Sequence, residues 1–337
     1  MTEQQIRETY FSRVLLDCDS RLFYCDDEIK TTYTKGFNQV HPDIKMLQFA
    51  NDKFGMTSDC YILYAIGHLG CATKDAIVEF LSAIAKKTPS LRILTTKEAI
   101  NERIRYMYGL GLVMRFNYDA YVGKDRKKER MSLYVITDDG LTFVKQHLKK
   151  RCTLNAGFYA KHIRDLIGWG CAASLGAHLA NLNAGFLEFS DGILRTKQMG
   201  ALFFPCEWKA EVEGVRYYVS FMPSYLEFDK SYLTERDYDV CCMMAVNTIR
   251  NYINCRTQKG IPVVVIVVED NKDLNNIALN IMASGALNEM LDHIFFTGEG
   301  AVKGYKENAK SAFYKLQLDA TAKEGYSICA CRAPFIA

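Results

Sequence analysis

The sequence has no apolar run near the roughly 20 residues needed to cross a bilayer. Its longest, Ile261 to Val268, is of strand length. Met1 to Thr9 is polar, without the apolar centre of a secretory leader, so neither export nor a membrane anchor is expected. Proline is scarce, at 6 of 337 residues, and 49% of the chain is hydrophobic, which argues against extended disorder and allows two folded domains. Nucleotide loops are missing too: Gly109-Leu110-Gly111 and Gly298-Glu299-Gly300 lack the further glycine, lysine and hydroxyl residue that cradle phosphates. There is no Gly-x-Ser-x-Gly elbow. The 6 histidines stand singly, so neither His-Glu-x-x-His nor the His-x-His of a tyrosine relaxase is present. No cofactor and no resident metal are expected. Cysteine is plentiful, at 12, but lacks a framework of spacings, and many lie among apolar neighbours. That pattern predicts reduced thiols in a cytoplasm, most of them core filler. Cys241-Cys242 and Cys329-Ala330-Cys331 could bind metal only with distant partners.

One stretch is short of negative charge. Between residues 55 and 150, Lys and Arg outnumber Asp and Glu by 16 to 10, against 7 to 9 before it and 19 to 20 after it. A polyanion is the natural partner of such a segment, because Lys and Arg displace counterions from phosphates without needing a deep pocket.

Its pattern is specific. Tyr61, Ile62, Ala65, Ile66 and Leu69 line one predicted helix, and Ile77, Phe80, Leu81 and Ile84 a second capped by Thr73. Thr95 with Glu98 reads as a capping box for a third helix, in which Ile100, Ile104 and Met107 repeat until Gly109 and Gly111 break the run. Two strands follow, Leu112 to Tyr118 and Met131 to Thr137, and between them lies a charged tip with Lys124, Arg126, Lys127, Lys128 and Arg130. Thr137-Asp138-Asp139-Gly140 then caps a last helix through Leu148. At about 100° per residue, Lys97, Asn101, Arg105 and Tyr108 share one flank of the third helix, while Glu98 and Glu102 point elsewhere. Carboxylates repel phosphates, so duplex DNA is expected on the Lys97 flank, with Asn101 and Arg105 as base readers. The alternatives are a solvated surface helix or a module that binds another protein.

Tyr134, Ile136, Thr137 and Gly140 stand as the end of a wing strand and the following Thr-x-x-Gly do in bacterial winged helix-turn-helix DNA-binding domains, which the chain resembles over about 90 residues. The resemblance implies a third helix in the major groove and a basic tip on a flanking phosphate or the minor groove.

Beyond a linker near Arg151, small residues crowd a predicted helix from Ala160 to Asn183, for which close helix packing is the simplest reason. Strands are expected at Gly185 to Phe189, Gly200 to Val212 and Val215 to Met222, then a helix from Thr234 to Thr257. A buried strand at Pro262 to Val268, a helix from Leu274 to Met290 and a strand at His293 to Phe296 complete an α/β order with a mixed sheet. This order resembles the restriction-endonuclease-like PD-(D/E)xK core. There, paired carboxylates hold a divalent metal and a lysine orients water, which would assign catalysis to Asp191, Glu207 and Lys209. No Pro precedes Asp191, Pro205 and Cys206 adjoin the active strand, and Gly200 and Ser220 stand where further carboxylates belong, so a degenerate, non-catalytic core is expected.

The sequence thus predicts an α+β protein: an N-terminal extension (1–54), a winged helix (55–151) and an α/β domain (157–337) for assembly or partner binding. The whole is similar to the replication-relaxation family of plasmids and integrative elements. That similarity implies a cytoplasmic, non-enzymatic duplex-DNA-binding protein of a bacterial mobile element, acting in replication, transfer or transcription control. Its partners would be other replication or transfer proteins and a second copy of itself, since paired half-sites multiply specificity.

Overall fold

The computed structural model describes residues 32–34, 56–122, 127–149, 166–190, 193–196, 200–204, 206–224, 235–268, 271–283, 290–298, 309–323 and 325–337. Among them the fold is mixed α+β, with seven α-helices and a seven-stranded mixed sheet. No described helix is long and apolar enough to cross a membrane.

The first half opens with α1 (Met56–Leu69), α2 (Lys74–Lys87) and α3 (Lys97–Gly109). Thr73 caps α2, its Oγ1 accepting from the Ala76 amide at 3.1 Å. The capping box expected at Thr95 is not formed: Thr96 is the N-cap and its side chain makes no cap bond. The Ser58 hydroxyl donates to the Arg92 carbonyl and accepts from the Leu94 amide, holding the approach to α3 against α1. Ile100, Ile104 and Met107 are buried as their spacing requires.

A hairpin of β2 (Val113–Val122) and β3 (Lys127–Ile136) follows, flanked on its outer edge by β1 (Thr32–Thr34). The ladder runs further than the sequence pattern predicts. It pairs Asp119 with Arg130, Tyr121 with Lys128 and Val122 with Lys127, so those three basic residues sit in a strand and not in a loop. On the inner edge Ala72 bridges Tyr134, just before α2 begins. In α4 (Asp138–Leu148) the Thr137 hydroxyl accepts from the Gly140 amide and donates to the Gly111 carbonyl, fixing the turn.

Helix α5 (Leu166–Leu182) joins the two halves. Its small residues permit close approach: a Cβ on Gly170 would lie 2.7 Å from Leu133 Cδ2, and one on Gly176 2.8 Å from Cys206. Trp208 uses the same gap to donate from Nε1 to the Gly176 carbonyl at 3.1 Å. The sheet beneath has the order β12–β11–β10–β9–β8–β7–β4, from β4 (Phe186–Phe189), β7 (Cys206–Val212), β8 (Val215–Pro223), β9 (Ile261–Val267), β10 (Ile294–Thr297), β11 (Phe313–Leu318) and β12 (Tyr326–Cys331). Strands β8, β9 and β10 are parallel and the other pairings antiparallel. The single strand expected over Gly200 to Val212 is two: β6 (Gly200–Phe203) pairs instead with β5 (Ile193–Thr196) in a separate hairpin. Glu213 and Gly214, both at positive φ, make the tight β7–β8 turn.

Strand β9 is covered on both faces. Val263, Val265 and Val267 enter a core shared with α5 and the first-half helices, while Val264 and Ile266 enter a second core with α6 (Glu235–Arg256) and α7 (Asn271–Ala283). The first core is continuous across the expected linker. Phe80 of α2 stacks on Phe189 of β4 at 3.8 Å between ring centroids, and Thr73 meets Ser174 at 3.2 Å.

Candidate nucleic-acid interface

Three elements converge beside the start of α2. The Ala72 amide donates to the Tyr134 carbonyl at 3.0 Å and the Tyr134 amide to Ala72 at 2.8 Å, and Tyr134 lies opposite Arg115 in the hairpin. One residue into α2, Asp75 binds Lys97 at the start of α3, with Nζ to Oδ1 at 2.6 Å. Arg115 closes the ring: its guanidinium lies over the Tyr108 ring, 5.3 Å from the centroid.

The result is a cationic surface. Burial, Arg105, Arg115 and Lys97 together hold the Lys74 ammonium below its ordinary pKa, with Asp75 opposing. Burial raises the Tyr134 phenol, with Arg115 and Arg105 pulling it down. Lys97, Asn101 and Arg105 therefore share a flank, as the helical spacing requires, and that flank runs on into Lys74 and Arg115. Lys97 and Arg105 are exposed; Asn101 and Tyr108 are half-buried, and Tyr108 packs on the core. Asn101 Oδ1 is buried with no hydrogen-bond partner among the described residues. Lys74 and Arg115 carry no sequence signal of their own, since only the Ala72 bridge and the hairpin register bring them together.

Lys124 and Arg126 lie outside the described residues, as do the side chains of Lys127, Lys128 and Arg130, whose backbone belongs to β3.

The catalytic alternative fares differently. Asp191 lies outside the described residues. Glu207 is wholly buried, and Arg256 of α6 closes on it with Nη2 2.7 Å from Oε1 and 2.9 Å from Oε2, while the Tyr252 hydroxyl donates to Oε1 at 3.4 Å. Burial pushes the Glu207 carboxyl above the ordinary range, with Arg256 opposing. Lys209 is bound to Glu188 at 2.5 Å, and Ser220 faces Glu207 across the ladder. Glu207 is thus engaged by a guanidinium within the core. Among the described residues no group of three His, Cys, Asp or Glu side chains could hold a metal.

By architecture the chain is a mixed α+β protein whose helical head and hairpin pack, through α5, on a seven-stranded sheet. Compared with protein-family models, with curated proteins and with solved structures, it finds no match.

Proposed function

We propose that this chain is a winged helix-turn-helix protein that grips duplex DNA without cutting it, in the replication, transfer or transcription control of a bacterial mobile element. One observation supports the reading above others. The order helix, bridge, helix, helix, hairpin, helix brings the exposed Lys97 and Arg105 of α3 onto one cationic flank with the half-buried Lys74 and Arg115. Phosphate attraction needs such a surface and no deep cleft. In this reading α3 enters the major groove, Asn101 and Arg105 read base edges, and Lys124, Arg126, Lys127, Lys128 and Arg130 meet a flanking backbone.

The test is duplex binding across a salt series. Neutralising Arg126, Lys127, Lys128 and Arg130 should weaken binding to every sequence and flatten the salt slope, whereas Asn101→Ala or Arg105→Ala should erode preference for one site. Wild-type protein that binds no duplex, or binds one without salt dependence, ends the proposal.

The rival is a metal-dependent nuclease, favoured by the meander β4–β7–β8 followed by α6 and the parallel strand β9. It requires Mg²⁺-dependent cleavage that Glu207→Ala abolishes. The pairing of Glu207 with Arg256 supports the non-catalytic reading instead.

A further inference from the structure

We propose that Lys74 and Arg115, where the α3 flank runs on to the start of α2 and the hairpin, form a seat for one backbone phosphate; this rests on the duplex-binding reading. Ala72 bridges Tyr134, which pairs with Arg115, so Ala72, two residues before α2, lies about two strand spacings, or roughly 10 Å, from Arg115. The Asp75–Lys97 pair pulls the first turn of α3 to the same place. Arg115 is held there by the Tyr108 ring and by a side-chain hydrogen bond with the Tyr134 hydroxyl. Its Nε is buried and has no hydrogen-bond partner among the described residues.

The chemistry points to an anion. Lys74, Lys97, Arg105 and Arg115 crowd together against one carboxylate, Asp75, which is already engaged by Lys97. A planar guanidinium fork beside a lysine point charge matches the oxygens of a phosphate. The positive end of the α2 dipole adds to the same field. The site lies at a junction of two helices and a hairpin, which suits a strand backbone running past it. Phosphate contacts set register while base contacts specify. A phosphate seated here would fix where Arg105, next to the seat, meets the base edges.

The experiment uses the full chain and duplexes of one length, with affinity read by fluorescence anisotropy over a salt series. Lys74→Gln and Arg115→Gln should each flatten the slope of log affinity against log salt, the double variant by about 0.9 in total, the share of one phosphate, and weaken random and preferred sequences by the same factor. Arg115→Lys, which keeps the charge but loses the fork, should keep the slope and lose part of the affinity. Lys74 is half-buried at the start of α2 and lies on a different element from Arg115, so Lys74→Gln remains a test if Arg115→Gln fails to fold. Folded variants with an unchanged slope overturn the seat. Losses confined to one sequence also overturn it, because those residues would then read bases. Wild-type protein without salt-dependent duplex binding removes the underlying reading instead. Inorganic phosphate that raises the melting midpoint of wild type and not of Lys74→Gln would show that the seat also takes the free ion. Flattened slopes without that shift would show that it takes the phosphodiester alone.

Discussion

Arg103 of α3 grips Asp59 of α1 with both arms of its guanidinium fork, Nε to Oδ1 at 2.8 Å and Nη2 to Oδ2 at 2.5 Å, and both side chains are buried. At about 100° per residue, Arg103 points roughly 200° away from Asn101 and Arg105, so the pair fixes the roll of α3 that turns their flank outward. Removing one partner strands a buried charge. Asp59→Ala should therefore cost about 3–5 kcal/mol in urea unfolding, whereas Asp59→Leu with Arg103→Met should cost far less. A near-neutral Asp59→Ala would show that the pair does not hold the helix.

The second buried pair gives a sharper contrast between readings. Glu207→Ala leaves the Arg256 guanidinium, 8% exposed, without a counter-charge, so a loss of about 3–5 kcal/mol is expected in any buffer. A metal ligand behaves otherwise: its removal would cost stability chiefly in the presence of Mg²⁺. Thermal melts of wild type and Glu207→Ala, with Mg²⁺ and with chelator, decide between them. Magnesium-dependent stabilisation of wild type that the variant lacks would contradict the structural role.

Helices α2 and α5 meet through a pH-sensitive contact. His178 Nδ1 lies 3.2 Å from Glu79 Oε1, and Asn181 Nδ2 donates to Oε2 at 2.5 Å. Burial works to raise the Glu79 carboxyl, but the bonds from His178 and Asn181 outweigh it and hold it below the ordinary value of 4.5. A lowered pKa means that the unfolded chain binds the proton first, so stability from this group is present above about pH 4.5 and is lost as pH falls through the folded value. Glu79→Gln should flatten the acid limb of a stability–pH curve. An unchanged limb would place the acid sensitivity elsewhere.

Much of the architecture is legible in local pattern. The spacing of Ile100, Ile104 and Met107 places the buried face of α3, and the unbroken Val and Ile run of β9 marks a strand covered twice. Long-range pairing is not legible. Nothing near Thr32 announces a strand beside β2, and the two strands after residue 312, β11 and β12, carry too little alternation to stand out from their polar flanks. The hairpin ladder outruns its apolar pattern because register, once set at Val113 and Ile136, carries pairing on to Val122 and Lys127. The site divides the same way. Helical periodicity alone groups Lys97, Asn101 and Arg105, but Lys74 and Arg115 join them only through a bridge at Ala72 that leaves no trace in the residue order. Glu207-x-Lys209 reads as a nuclease motif until Arg256, 49 residues away, is seen to close on Glu207.

The cysteines should divide by environment. Burial and the Asp59 charge push the Cys60 thiol up to about 12, and burial pushes Cys331 up to about 11 and raises Cys71 and Cys206 further above their ordinary value. Cys255 is exposed. Because only the thiolate attacks, Cys60 at pH 8 has roughly one molecule in ten thousand reactive, before its burial is counted. Peptide mapping after brief alkylation at pH 8 should find Cys255 modified and Cys60, Cys71 and Cys206 intact until denaturant is added. Alkali adds a check of sign. The unfolded chain loses the Cys60 proton near 9 and the folded chain only near 12, so stability from this group is complete below pH 9 and shrinks as pH rises toward 12. Cys60→Ala should therefore lose less stability between pH 8 and 10.5 than wild type loses. An equal loss in both proteins would mean that the thiol is not the group the alkaline limb reports.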